Sequence, residues 1–202
     1  MVLRSSLLCA LLITAASSTA DARRFRVVPE LFDPDQTGAV SAHWRPFSGP
    51  GNSDPALLLD KLAPTATNAA AGAEIDGASG IVLSELGFDV YRGGHCGAGA
   101  PRFNVTTVSG ATYLFFFGCS DGDHTPSPSK PARFVRVRFH DADARPQLTT
   151  NPPWPGFGRA RIASITIIFD EGTDMGSGFV ALDDIDVNGE LVGRGNDRDD
   201  DD

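Results

Sequence analysis

After its first twenty residues the chain has no second apolar run long enough to cross a bilayer, so no internal membrane anchor is expected. It has no excess of base. Lys and Arg number 17 against 26 Asp and Glu, giving a formal charge of −9. A chain this acidic lacks the basic face that nucleic-acid binding requires, and has little reason to adhere to anionic lipid. It has no GxSxG elbow, so an esterase-type nucleophile is not indicated. Its four His form neither an HExxH nor an HxH pair, which leaves a catalytic zinc without support. It has no CxxC, no EF-hand spacing, no internal repeat and no convincing amphipathic helix. Only two Met stand beside 13 Phe, which points to a core of aromatic and β-branched groups.

What the chain has instead is turn formers. The 22 Gly and 14 Pro break its 202 residues into short apolar pieces. Residues 1–22 read as a secretory signal peptide, with Arg4 as a thin basic start, an apolar run from Leu7 to Ala16 and small residues about position 20. Cleavage after residue 20 removes one base and no acid, leaving 16 − 26 = −10. Residues 194–202 form a polar acidic tail with nothing to bury, expected to be disordered. Between them, residues 23–193 are expected to form one domain, exported to the extracellular space or periplasm.

Two cysteines remain after cleavage, Cys96 and Cys119, and an even count in an exported chain favours a disulfide over a thiol nucleophile or metal ligand. Along 23–55 only Phe25–Val28 reads as strand, limited by Pro29; the remainder reads as irregular chain. Further strands are expected at 56–61, twice within 74–90, at 102–108, at 111–118 and at 133–140. Residues 121–131 and 141–157 read as loops. The C-terminal stretch, 161–192, gives a strand through Ile165, Ile167 and Phe169, a Gly/Asp-rich connection, a second strand, and a tight hairpin at Asn188-Gly189. About eight to ten short strands separated by turn signals make an all-β domain of two packed antiparallel sheets, an antiparallel β-sandwich.

The strand ending in Asp-Glu-Gly, the Gly-rich turn and the run GFVALDDIDV resemble the closing strands of jelly-roll, galactose-binding-like domains, an ending that many carbohydrate-binding modules share. The resemblance implies a jelly-roll sandwich and a carbohydrate partner. It also implies a structural calcium, held in part by a last-strand carboxylate, a role that would fall to Asp183 or Asp184.

Read from the residues, calcium needs six to eight hard oxygen ligands, and Asp170, Glu171 and Asp174 together with Asp183 or Asp184 gather where the strands end. Solvated turn formers would show the same pattern. Sugar binding needs aromatic faces and fixed polar groups. Trp154, Trp44 and Tyr91 are the available platforms, although Trp44 suits capping a core as well. Arg136, Arg138 and His140 alternate with Val135, Val137 and Phe139, forming an outward polar row that suits neutral or acidic glycans. Two further roles stay open: an envelope adhesion or structural protein acting through protein contacts, and a glycan hydrolase or lyase using a carboxylate pair such as Glu85 and Glu171.

Overall fold

The computed structural model describes residues 25–47, 55–108, 112–140, 146, 153–170 and 176–192. The expected signal peptide and acidic tail, together with Glu171 and Asp174, lie outside the described residues. The strands are β1 (Arg26–Phe32), β2 (Val40–Pro46), β3 (Pro55–Lys61), β4 (Ala70–Asp76), β5 (Leu86–Tyr91), β6 (Arg102–Val108), β7 (Thr112–Gly118), β8 (Asp123–Pro126), β9 (Phe134–Phe139), β10 (Ile162–Phe169), β11 (Gly178–Val187) and β12 (Glu190–Val192). One sheet has the order β1-β4-β10-β6-β7. The other has the order β2-β3-β11-β5-β9-β8, with β12 paired to β11. Every pairing is antiparallel. The chain changes sheet from β1 to β2, β3 to β4, β4 to β5, β5 to β6, β7 to β8, β9 to β10 and β10 to β11, which is the winding of a jelly roll.

Period-two patterning decides which side chains fill the space between the sheets. Phe103 and Val105 on β6, Phe115 and Phe117 on β7, and Ile165, Ile167 and Phe169 on β10 meet Phe88 on β5, Phe139 on β9 and Leu182 on β11, all of them buried. The last hairpin forms as expected. Asn188 and Gly189 both take positive φ, 56° and 84°, as a two-residue primed turn requires.

Two expectations about the N-terminal third are corrected. Pro29 does not end β1, which pairs with β4 through Phe32. The strand lies at a sheet edge, where a missing N–H breaks no ladder. Residues 40–46 are strand rather than irregular chain, with Val40, Ala42 and Trp44 packed against the core. The expected loop 121–131 contains the short edge strand β8.

Candidate functional site

The C-terminal run GFVALDDIDV builds the floor of the candidate site. On β11, Val180 and Leu182 point into the core, and so do Ile185 and Val187. The phase slips by one residue between the two pairs. Opposite β5, Asp183 pairs with Asp89 and Asp186 with Gly87, so one extra residue sits in β11. Asp184 takes φ 43° at this bulge. The slip puts Asp183, Asp184 and Asp186 on the outer face of the larger sheet, where an unbroken alternation from Val180 and Leu182 would turn Asp184 and Asp186 inward.

Cations from β9 and from the loop before it meet these carboxylates. Arg136 stands opposite Asp89 in register. Its Nε donates to Asp89 Oδ1, and its Nη2 lies 3.5 Å from Asp184 Oδ2. The Ser127 hydroxyl donates to the other oxygen of Asp89. Ser129 donates to Asp184 over 3.0 Å, and the Lys130 ammonium donates to Asp183. Arg138 Nη1 lies 2.7 Å from Glu85 and 2.8 Å from Asp186. Gly87 lies between Arg138 and Asp186 in register, and the absence of a side chain lets the two meet over β5. A Cβ there would sit 2.7 Å from the Val137 carbonyl oxygen.

The network is mostly out of water. Asp89, Asp183 and Asp186 are buried, and the Arg136 side chain is 7% exposed. Burial pushes the Asp183 carboxyl above its ordinary value, against the opposing pull of Lys130 and with added repulsion from Asp184. Burial raises Asp186 as well, while Arg138 and the Gly189 N–H pull the other way and Glu85 adds repulsion. Although Arg138 is close to Asp186 Oδ2, the approach lacks hydrogen-bond geometry, so that oxygen accepts no hydrogen bond among the described residues. For Arg136, burial opposes the charged form, but the Asp89 hydrogen bond and the surrounding carboxylates outweigh it and the pKa is raised.

A folded pKa above the unfolded one means that the acid contributes most stability when protonated. That contribution fades as pH rises from the ordinary aspartate value of 3.8 through the raised value. Asp186→Asn keeps the oxygen that accepts from Gly189 over 2.8 Å and removes the titration. Thermal melts from about pH 4 to 8 should therefore fall less with rising pH in Asp186→Asn than in the wild type. Parallel curves would show that Asp186 titrates as it does in the unfolded chain.

Beside the network lies an aromatic cluster on the same face. Tyr91 is at its centre, with ring centroids 4.9 Å from Phe47, 5.8 Å from Phe134 and 6.4 Å from Phe179. Ala56, Leu58 and Ala181 form the apolar bed beneath Phe47 and Tyr91. Phe134 is buried, Tyr91 and Phe47 are half-buried, and Phe179 is 36% exposed. The Arg133 guanidinium lies over both the Phe47 and Tyr91 rings, at 5.6 and 5.8 Å.

The residues singled out from the sequence divide among several places. Tyr91, Arg136 and Arg138 share the outer face. Both arginines of the expected outward row have carboxylate partners: Arg136 is covered and bonded to Asp89, and Arg138 is held by Glu85 and Asp186. His140 is exposed, 3.5 Å from Asp123. Trp44 faces inward, and its Nε1 donates to the Val27 carbonyl at 3.1 Å, tying β2 to the opposite sheet. Trp154 packs on Phe115, Phe117 and Phe157 at 4.9, 5.2 and 5.4 Å, so its ring plugs the core.

The described calcium candidates do not make one coordination sphere. Arg102 holds Asp170 in a two-pronged pair at 2.7 and 2.9 Å, and the buried Lys61 ammonium lies 3.3 Å from the Asp170 carbonyl oxygen. Asp183 and Asp184 are taken by Lys130, Ser129 and Arg136. Among the described residues the one grouping of three potential metal donors is Cys96, Cys119 and His124. Its sulfurs are joined in the expected disulfide, with the Cα atoms 5.2 Å apart.

Several contributors gave little sign in the sequence. Asp89 lies on β5, while Ser127, Lys130 and Arg133 share the connection between β8 and β9. The legible signal was the broken period in VALDDIDV, where core residues step by two, then three, then two.

No protein-family model matches the chain, and no curated protein matches it. Among solved structures, the chain is similar to the family 11 carbohydrate-binding module from Clostridium thermocellum, determined in complex with a β-1,3-1,4-mixed-linked tetrasaccharide. The identity is 13%, the alignment covers 83% of this chain and 91% of that one, and the TM-score is 0.42.

Proposed function

We propose that this protein is a secreted, non-catalytic carbohydrate-binding sandwich whose ligand lies on the outer face of the larger sheet, against Tyr91 and Phe179. The observation that carries the reading is the half-open aromatic cluster beside fixed charged groups. Pyranose rings present C–H faces that stack on aromatic rings and hydroxyls that need oriented polar partners, and this face offers both. Arg138 and Glu85, with side chains about one quarter exposed at 27% and 25%, are the parts of the network that reach water. The carboxylates of this network are tied to cations rather than standing free across a cleft, which supports binding over hydrolysis at this face. The disulfide and the apolar leader support export. In the described residues no helix is long and apolar enough to cross a membrane.

The test is a glycan-array and insoluble-polysaccharide screen of the mature protein, followed by Phe179→Ala and Tyr91→Ala. Phe179 is the cleaner probe because it is already partly exposed. Its truncation should weaken retention about tenfold with little change in melting temperature. Unchanged retention would place the ligand elsewhere. A folded protein that binds nothing across a broad panel would favour contact with a protein, for which the exposed Leu31 and Phe32 on edge strand β1 are the suited surface.

A further inference from the structure

The cations on the outer face of the larger sheet are of two kinds. Lys130, Arg136 and Arg138 each hold a carboxylate of this chain. Arg133 does not. Among the described residues no carboxylate pairs with its guanidinium, although the chain contains 26 acids against 17 bases. The group is fixed by aromatic surface instead, above Phe47 and Tyr91.

Its neighbours hold it there from the backbone. Arg133 N–H donates to the Lys130 carbonyl at 3.0 Å, and its own carbonyl accepts from Arg92 N–H at 2.8 Å. Arg92 Nη2 donates to the Pro131 carbonyl at 3.2 Å and so braces the same turn. Arg45, exposed and facing the same side from β2 opposite Ala56, is a second cation with no carboxylate partner among the described residues.

The guanidinium lies near two rings that stand at 73° to each other, and its N–H groups meet no acceptor among the described residues. Those groups match a planar carboxylate through two parallel hydrogen bonds, and match a lone hydroxyl poorly. From these observations, and resting on the carbohydrate reading above, we propose that the ligand is a uronate-bearing glycan. The sugar ring packs against Tyr91 and Phe179, and Arg133 receives its carboxylate. The formal charge of −9 opposes an anionic polymer at long range. At physiological salt that repulsion is screened beyond about 8 Å, so the local fork decides.

The experiment compares retention of the mature, oxidised protein by polygalacturonate and by the same polymer after carboxyl reduction to the neutral galactan. The expected result is binding to polygalacturonate that is about tenfold tighter than to the reduced polymer. Arg133→Gln should abolish that difference. Arg133→Lys, which keeps the charge and loses the fork, should fall between them. Equal wild-type affinity for the two polymers would overturn the proposal while leaving carbohydrate binding intact, and so would an unchanged Arg133→Gln. No retention of either polymer, together with a blank neutral-glycan panel, would overturn the carbohydrate reading as well.

Discussion

Arg136→Met should destabilise the protein by about 3–5 kcal/mol, because it removes one partner from a buried ion pair and leaves the other charged. The Asp89 side chain is 1% exposed and sits at the middle of a central strand. After the substitution it would keep only the Ser127 hydroxyl. Asp184 would lose a cation too, keeping its bond from Ser129. Two carboxylates would then face each other across β11 and β5 with too few donors. The companion variant isolates the cause. Arg136→Met with Asp89→Leu replaces the pair by packed apolar groups, and buried pairs so replaced are often neutral in stability. Urea unfolding of the three proteins is the measurement. Near-recovery in the double variant would show that the single loss is an orphaned charge. Equal loss in both would show that the packing of the Arg136 stem, and not its charge, holds the face together.

The network bears on the proposed binding because it lies next to the aromatic cluster on the same strands. Arg136 is two residues from Phe134, and Asp89 is two residues from Tyr91, on the same face of β9 and β5. A fixed floor lowers the ordering that a ligand must impose on Tyr91.

How far the sequence revealed all this depends on the kind of signal. Strands such as FVRVRF and RFNVTTV alternate cleanly because one side meets the core, and they were legible at once. The sandwich class follows from them. Strand β2 was obscured by Pro46 and by the glycines after it, although Val40, Ala42 and Trp44 keep the period. The arginine row points away from the core as read, but its partners were not legible. Nothing within one strand states that the Ser127–Arg133 segment folds over it, or that a bulge on β11 lifts Asp183 and Asp184 to meet that segment. The tryptophans misled for a related reason. Aromatic residues in Pro-rich loops suit exposed platforms, but Trp154 fills the space beside Phe115 and Phe117 that the two sheets leave open. The residues that form the cluster, Phe47, Tyr91, Phe134 and Phe179, come from four separate places in the chain and converge only through strand order.

The disulfide ties that convergence to stability. Replacing Cys96 and Cys119 by Ser should cost about 3–4 kcal/mol in the chain-entropy model for a separation of 23 residues, and lower the melting temperature by about 10 °C. The bond fastens the glycine loop after β5 to the end of β7. Beside it Cys119 N–H donates to the Pro101 carbonyl at 2.9 Å, and Ser120 N–H to the Gly97 carbonyl at 3.2 Å. Gly118 is required at this closure, since any Cβ there would run into the Ala98 carbonyl oxygen. The same loop borders the proposed ligand face. Gly94 N–H donates to the Tyr91 carbonyl at 3.0 Å, and His95 N–H to the Phe179 carbonyl at 2.9 Å, so the loop joins the backbones of the two proposed stacking residues. Freed from Cys119, the loop should loosen and the Tyr91–Phe179 spacing with it. The double Ser variant, assayed well below its melting temperature, should therefore bind glycan more weakly than the wild type while remaining folded by circular dichroism. Full affinity in a folded double variant would show that the strands alone set the spacing of Tyr91 and Phe179, and that the disulfide serves stability only.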